Sequence, residues 1–553
     1  MEREFIAPGP GTWELDRTHS HSAMTVYTTE SFKGFARGFK EGMSRYGVMV
    51  SHPQPHFVHG FFYTQLVGLL GKPGGSPPPK FIFKLMSRIH PLLRNRVKTA
   101  HAAFTGRQWL QDLSDWDELK KDSIKRNTAL QSVDVTQLDD AALTAHLQAC
   151  GENAEEMVYR HHIYTVGSLM PVGWLLDVAT RSSGLSPSVV APLLKGSTPV
   201  SMGIGGPELA RLAATITAAG ISRDSLESQP AEEALAQLCA NPAIESALND
   251  YLSVAGFMLI GGYCISEKTL RESPNIIMAR LLDALTARQT TEFDNEQEQR
   301  VRSRIALEDQ EEFDNALADA RKVNRLRDER GIYNDIWGAG IARTAILEAG
   351  RRLVSRGVLS NAELLLDASR EEMTGLMRGE SPISEAQLQD RRDWRINKSI
   401  DEVPHILGPQ PGPPPPPDWL PPGVQPTMRA FGMVMGNVFE SPDEAQEGSV
   451  KGLPVSPGVY ECIAKVILST RDFGRLNKGD VLITKNTSAG FNVVLPIIGA
   501  LVTDRGGLLS HAAIVSREYG IPGVVGTKTA TQLIPDGARV RVDGDKGEVT
   551  ILS

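Results

Sequence analysis

Cysteine is scarce. The 553 residues hold four, Cys150, Cys239, Cys264 and Cys462, and no two of them stand as C-x-x-C. That spacing excludes a disulfide framework and a cysteine-built zinc site, and makes a reducing, cytoplasmic setting the expectation. No G-x-x-x-x-G-K-[ST] nucleotide loop occurs. The longest apolar stretches, Val254 to Ile265 and Val493 to Val502, are short and interrupted by Gly or Pro, so neither reads as a bilayer span. Met1-Glu2-Arg3-Glu4 opens the chain without the basic and apolar regions of a signal peptide. Positive charge is not in excess either: a net charge of -8 argues against a general nucleic-acid surface.

What remains is a globular composition, 41% hydrophobic and 22% charged, in a chain too long for one core. Residues 1 to 105 read as loop-rich, with Gly, Pro, His and aromatic residues concentrated in Pro8 to His21 and Ser51 to Tyr63. His52 and His56 stand four apart, but Pro53 and Pro55 between them oppose a helical ligand pair, so no metal site is expected. Hydrogen-bonded histidines in a pocket wall are the plainer reading. From 106 to 405 the apolar residues recur with helical period, and Thr136 or Asp139 is placed to cap a helix through Leu138, Leu143 and Leu147. Ser186 and Pro187 suit an N-cap and first helical position. Residues 295 to 330 read as one long charged helix, closed by Arg330-Gly331, with a solvated face.

Residues 406 to 427 hold a run of prolines that suits neither helix nor central strand and predicts an extended, semi-rigid linker. A compact domain follows over 428 to 553, with strands expected at Val459 to Val466, Gly479 to Thr484, Val493 to Val502, and Arg539 to Ile551 as a hairpin. Within it, an apolar run ending at Val502 leads into Thr503-Asp504-Arg505-Gly506-Gly507-Leu508-Leu509-Ser510-His511. Gly506 and Gly507 permit unusual dihedrals and close backbone approach. Ser510 suits an N-cap, which puts His511 at a helix N-terminus, where free N–H groups and the dipole favour phosphate. A histidine nitrogen there can act as a covalent nucleophile.

The stretch Thr503 to Gly526 resembles the phosphohistidine motif of the swivelling domain of phosphoenolpyruvate-utilising, dikinase-type phosphotransferases, with His511 at the phosphorylated position. The resemblance implies a multidomain fold: a mainly α-helical substrate-binding domain (1–405), a Pro-rich linker (406–427) and a C-terminal β/β/α swivelling domain (428–553). The order of elements resembles most closely the histidine-bearing subunit of phenylphosphate synthase and the last two-thirds of rifampicin phosphotransferase. Three departures are visible. Leu509 replaces a usual Thr or Met. Ser20 to Thr25 lacks the Pro-Arg-Pro element that follows a Trp-Glu-Leu-Asp-x-Thr-His signature. Thr487 to Val493 lacks the usual prolines and tryptophan.

The resemblance further implies that the β-phosphoryl of ATP reaches His511 from a separate ATP-grasp subunit that carries ATP and Mg2+, this chain binding no cofactor of its own. Neither a nucleotide domain nor a phosphoenolpyruvate-binding barrel is apparent in the sequence, whose middle reads helical throughout. The expected acceptor is a hydroxyl of a small molecule, a phenol being one candidate. Gly506, Gly507, Ser510 and Arg517 would stabilise the phosphoryl group. Asp16, His19, His52, His56 or His59 would deprotonate the acceptor, and Arg330 or Arg343 would reach the travelling phosphoryl. The other expectation is a phosphocarrier or regulatory protein that keeps the swivelling domain without acceptor chemistry.

Overall fold

The computed structural model describes residues 3–17, 22–70, 80–198, 205–286, 295–412, 419–439, 450–468, 470–487, 491 and 494–552. The chain forms two compact units. One comprises Met1–Asp177, Tyr263–Ser266 and Glu329–Met433; the other comprises Val178–Gly262, Glu267–Asp328 and Val434–Ser553. The expected division at 405 and 428 does not follow these units. Helices between 178 and 328 share one apolar core with the C-terminal sheet, through Leu212, Ile216, Tyr251 and Ile277 on one side and Leu482, Leu501 and Val515 on the other. Helical periodicity shows that a helix has an apolar face, but not which surface that face will cover.

The first unit is built on the helix Asp140–Ile163, which Asp139 caps through the Ala142 N–H at 2.8 Å. Against it lies the helix Lys33–Arg45, in which Gly34, Gly38 and Gly42 stand four apart on one face. A Cβ added at these glycines would come within 2.4 Å of Glu155 O, 2.7 Å of Tyr159 O and 2.7 Å of Ile163 O respectively. The two backbones are therefore in direct contact, an approach only glycine permits. Residues 1–105 are thus not loop-rich: helices also occupy Val26–Ser31, Lys80–Ile89 and Pro91–Thr105.

A small antiparallel sheet completes the unit. Its strands are β1 (Trp13–Leu15), β2 (Val50–Val58), β3 (Phe61–Gly68) and β4 (Ile406–Leu407), in the order β2-β3-β1-β4. The prolines at 53 and 55 sit in β2, where they pair with Leu66 and Thr64. They are tolerated because β2 is an edge strand, whose outward N–H positions need no partner. The expected linker is shorter than its composition suggests. Ile406 and Leu407 already belong to β4, Leu420 and Val424 pack with Ala100, and a helix begins at Gln425. The proline run at 413–418 lies outside the described residues.

The long charged helix expected at 295–330 is broken into Asn295–Arg302, Gln310–Val323 and Arg325–Gly331. The break after Arg302 lets Ile305 turn inward, where it is buried. Gly331 does not end the last segment. The chain continues through a π-helical turn, Ile332–Ile336, into the helix Trp337–Ser355. The run Asp140–Ser183 is long and apolar enough to cross a membrane by composition, but 89% of its apolar window is buried inside the protein. Burial in a core accounts for that apolarity.

In the second unit eight strands form one sheet, ordered β5-β12-β11-β7-β8-β9-β10-β6. They are β5 (Val450–Lys451), β6 (Leu453–Ser456), β7 (Val459–Val466), β8 (Val481–Thr484), β9 (Ala500–Thr503), β10 (Gly523–Val525), β11 (Arg539–Asp543) and β12 (Glu548–Ile551). Strands β7 to β10 run parallel, and β8 and β9 are buried on both faces. Alternation distributes their side chains between two cores: Val481, Ile483, Ala500 and Val502 enter one, Leu482 and Leu501 the other.

We expect Gly38→Val to lower stability by about 1–3 kcal/mol, since even a single Cβ would have to displace the facing backbone. Thermal unfolding followed by circular dichroism checks this. An unchanged midpoint would mean that the two helices do not need their close approach.

Candidate functional site: a histidine at a helix N-terminus

Strands β8 and β9 end side by side, and the loops that leave their carboxyl ends carry Thr487 and His511. In parallel sheets this edge is where ligands bind. After β9 the chain passes through 504–510, enters the helix His511–Tyr519, and returns along β10, parallel to β9. Asp504 ties the loop down. Its buried carboxylate accepts the Thr531 N–H at 2.9 Å and the Thr531 hydroxyl, and its backbone N–H donates to Thr484 O at 3.0 Å. Burial pushes the Asp504 carboxyl upward, which these hydrogen bonds oppose.

Gly506 takes a φ of +112°, and a Cβ there would come within 2.7 Å of Ser510 Oγ. Both the dihedral and the space require glycine. Gly507 accepts from the Ser510 N–H at 3.0 Å and closes the turn. Ser510 is the N-cap, its hydroxyl oxygen accepting from the Ala513 N–H at 3.4 Å. The cap uses a lone pair of the hydroxyl and not its proton.

His511 is therefore the first residue of a nine-residue helix. Its Nδ1 is 2.8 Å from Thr487 Oγ1, while Nε2 is buried and has no hydrogen-bond partner among the described residues. An unsatisfied buried nitrogen costs about 1–3 kcal/mol. Burial drives the imidazole down to about 4; Asp328 nearby raises it and Arg327 lowers it. The ring is consequently neutral at physiological pH, with a lone pair on one nitrogen.

Two guanidinium groups accompany it. Arg517 is buried and donates from Nη2 to Leu508 O at 2.7 Å. Arg327 donates from Nη2 to Leu509 O. Both brace the backbone that delivers His511. Burial, and then the charge of Arg327, bring Arg517 down to about 10, with Glu518 opposing. Like charges held this close favour the arrival of an anion. Glu518 is buried as well. Its carboxylate accepts the Gly196 N–H at 2.7 Å and the Thr198 hydroxyl at 2.9 Å, fixing the loop that follows Leu194.

The other sequence-derived candidates lie in the first unit. His19 is outside the described residues. Asp16 continues β1, its N–H donating to Phe62 O at 2.8 Å. His52 faces Ser51 Oγ at 2.9 Å and Gln54 Oε1 at 3.3 Å, and His56 meets the Trp13 ring edge-on. Burial lowers both imidazoles. His59 is engaged with Glu4 O at 2.8 Å. Arg330 donates to Thr165 Oγ1 at 2.7 Å and to His161 O at 3.2 Å, and Arg343, fully buried, donates to Ile265 O at 2.9 Å. These two arginines hold the fold of their own unit. Sequence reasoning missed Thr487, Arg327 and Asp328. Thr487 keeps its place at the head of an otherwise divergent segment, which was a usable signal; Arg327 and Asp328 were hidden among many charges.

Titration of the His511 ring by NMR should show protonation only near pH 4, with Asp328→Asn moving it lower and Arg327→Gln moving it higher. A midpoint at the ordinary histidine value would contradict the buried, neutral ring.

Comparison with known proteins converges on the same elements. Residues 476–547 match the mobile domain of PEP-utilising enzymes, and residues 160–334 match the rifampicin phosphotransferase fourth domain. Among curated relatives, an uncharacterized phosphotransferase of Bacillus subtilis, YvkC, is 26% identical over 318 residues, 55% of this chain and 36% of that protein. Rifampicin phosphotransferase of Streptomyces sviceus is 29% identical over 338 residues, 58% of this chain and 36% of that protein. A probable phosphoenolpyruvate synthase of Archaeoglobus fulgidus is 46% identical over 112 residues, 20% of this chain and 15% of that protein. The chain spans about a third of the length of the first two. It therefore carries a mobile domain of the PEP-utilising type at 476–547, which contains His511, and a rifampicin phosphotransferase fourth-domain segment at 160–334.

Proposed function

We propose that this chain is the histidine-bearing, acceptor-binding component of a dikinase-type phosphotransferase. A partner ATP-grasp subunit holding ATP and Mg2+ places the β-phosphoryl of ATP on His511, and His511 passes it to a hydroxyl of a small acceptor. The carrying observation is the His511 ring: Nδ1 is taken by Thr487, Nε2 is left over, and the ring is neutral. With Nδ1–H donating to Thr487 Oγ1, the Nε2 lone pair attacks the β-phosphorus; the N–P bond forms as the β-phosphorus–oxygen bond to AMP breaks, and water releases the γ-phosphoryl as phosphate. The helix N-terminus, Arg327 and Arg517 offset the charge that arrives. On transfer the N–P bond breaks and an O–P bond forms to the acceptor.

The acceptor is proposed to bind the first unit. The acceptor proposed is a ring-bearing hydroxyl compound, a phenol being one candidate. A cytoplasmic setting fits four unpaired cysteines.

In lysate of the native cell, ATP labelled at the β-phosphoryl should leave acid-labile, base-stable label on the wild-type chain and none on His511→Ala. Equal label on both would remove His511 as the carrier. Thr487→Val should slow the appearance of label about tenfold, the effect of losing one orienting hydrogen bond. Labelling at the wild-type rate would mean that Thr487 does not orient the ring.

A further inference from the structure

One long stretch of the first unit has no acidic residue. From Gly42 to Gln111 the sequence holds nine Lys and Arg and no Asp or Glu, in a chain whose net charge is -8. A run of one sign creates a local positive field that the balance of the whole chain conceals. Inside this run lies the helix Lys80–Ile89, which carries Lys80, Lys84 and Arg88 at intervals of four. Residues four apart share a helix face, so these three form one row.

A second row runs beside it. Phe81, Leu85 and Ile89 are also four apart, and they are 72%, 57% and 65% exposed. Leu92, at the start of the helix Pro91–Thr105, is a further exposed apolar side chain. Single exposed apolar residues are ordinary, but a contiguous row of them marks an interaction surface. Ser87, on the opposite side of the helix, is buried.

The next helix seats this element on the unit. Its Arg96 is buried and donates from Nη1 to Met43 O at 2.6 Å, and Leu93 and Ala100 are buried with it. The two helices join directly: the His90 N–H donates to Met86 O at 2.8 Å, and Pro91 takes the first position of the second helix. Basic groups elsewhere in the unit find carboxylates, as Arg391 does on Glu372 and Lys398 on Glu402. Lys84, Arg88, Arg94 and Lys98 are exposed, and none of them makes an ion pair among the described residues.

An anionic lipid surface matches both rows. An amphipathic helix lies in the plane of a bilayer interface, its apolar row in the acyl boundary and its long basic side chains reaching back to the headgroups. Lys84 and Arg88, each one residue before Leu85 and Ile89, are placed for that arrangement. Apolar insertion and a basic patch together give attachment that neither gives alone. Arg94 and Lys98 extend the patch, and anionic headgroups attract such residues over about a Debye length. A second copy of the chain on this face would oppose like charges. A groove in a protein would need carboxylates at fixed positions, whereas headgroups move laterally to meet unpaired cations wherever they stand.

We propose that the helix Lys80–Ile89, with the first turns of the helix after it, is a reversible docking surface for membranes that contain anionic phospholipid. No bilayer span is involved, since the helix lies along the interface. The proposal stands apart from the chemistry at His511.

The test is flotation of the full chain with vesicles of phosphatidylcholine alone, or of phosphatidylcholine with about a quarter phosphatidylglycerol. Wild type should float with the anionic vesicles at about 0.1 M salt. Partition should fall at least about tenfold on phosphatidylcholine alone, or when salt is raised to about 0.5 M. Lys84→Gln with Arg88→Gln should weaken partition about 20-fold, about fivefold for each charge. Leu85→Gln with Ile89→Gln should weaken it at least about tenfold. These four side chains are exposed, so both variants should unfold at the wild-type temperature. Lys121→Gln with Arg126→Gln, exposed cations outside the acid-free run, should float as wild type does.

Wild type that does not float would overturn the proposal. So would equal flotation on both vesicle types, or helix variants that float as wild type does. Loss of flotation in the Lys121 and Arg126 variant would assign binding to total charge and remove the helix from it. A dimer in sedimentation that Leu85→Gln with Ile89→Gln dissolves would give the row to a second copy. Crosslinking of wild type, but not of that variant, to an acidic protein in membrane-free lysate would give it to a protein. Either result overturns the lipid surface.

Discussion

An imidazole that is to carry a phosphoryl group has to be neutral, held by one nitrogen, and bare at the other. Much of the architecture around His511 serves that constraint. Burial keeps the ring unprotonated, and Thr487 engages Nδ1. The unpartnered Nε2 is a cost that a ring with no chemistry to perform would be expected to relieve. Arg327 and Arg517 hold the Leu509 and Leu508 carbonyls in place and leave two positive charges beside the loop that delivers His511.

Holding the ring this way depends on the parallel sheet. Thr487 and His511 are 24 residues apart in sequence and meet because β8 and β9 are neighbours whose chains leave at the same edge. The loop between β9 and the helix is fixed by the buried carboxylate of Asp504, and the far end of the helix by Glu518, which binds the 196–198 loop. The helix that begins at His511 is thereby tied at both ends to rigid elements, as positioning to a fraction of an ångström requires.

The first unit solves a different problem. Gly34, Gly38 and Gly42 bring one helix into backbone contact with the helix that carries His161. Gly331 and the π turn then make space for the imidazole and turn Asp335 toward it. Glycine inside a helix lowers intrinsic helix stability by about 1 kcal/mol, so a row of three at helical spacing is itself a sign of close packing.

Local chemistry was legible in the residues themselves. Ser510 as N-cap, Asp139 as one of two cap candidates, the strand within Gly479 to Thr484 and the closing hairpin follow from short-range rules of dihedral preference, capping and period, whereas the strand expected over Val493 to Val502 begins only at Ala500, after a 3-10 turn at Leu495–Ile497. Composition misled where context overrides propensity. Pro53 and Pro55 signalled a loop but lie in an edge strand, and Arg330-Gly331 signalled a helix end but lies inside a continuous helical run. Partnership between distant residues was out of reach: Thr487 with His511, His161 with Asp335, and the helices of 178–328 with the sheet. The sequence by itself determined how the His511 helix starts and which residue caps it, because those depend on neighbours a few bonds away. Only the tertiary structure decided which groups orient the His511 ring and which apolar face covers which, because contacts across long separations depend on how every intervening element packs.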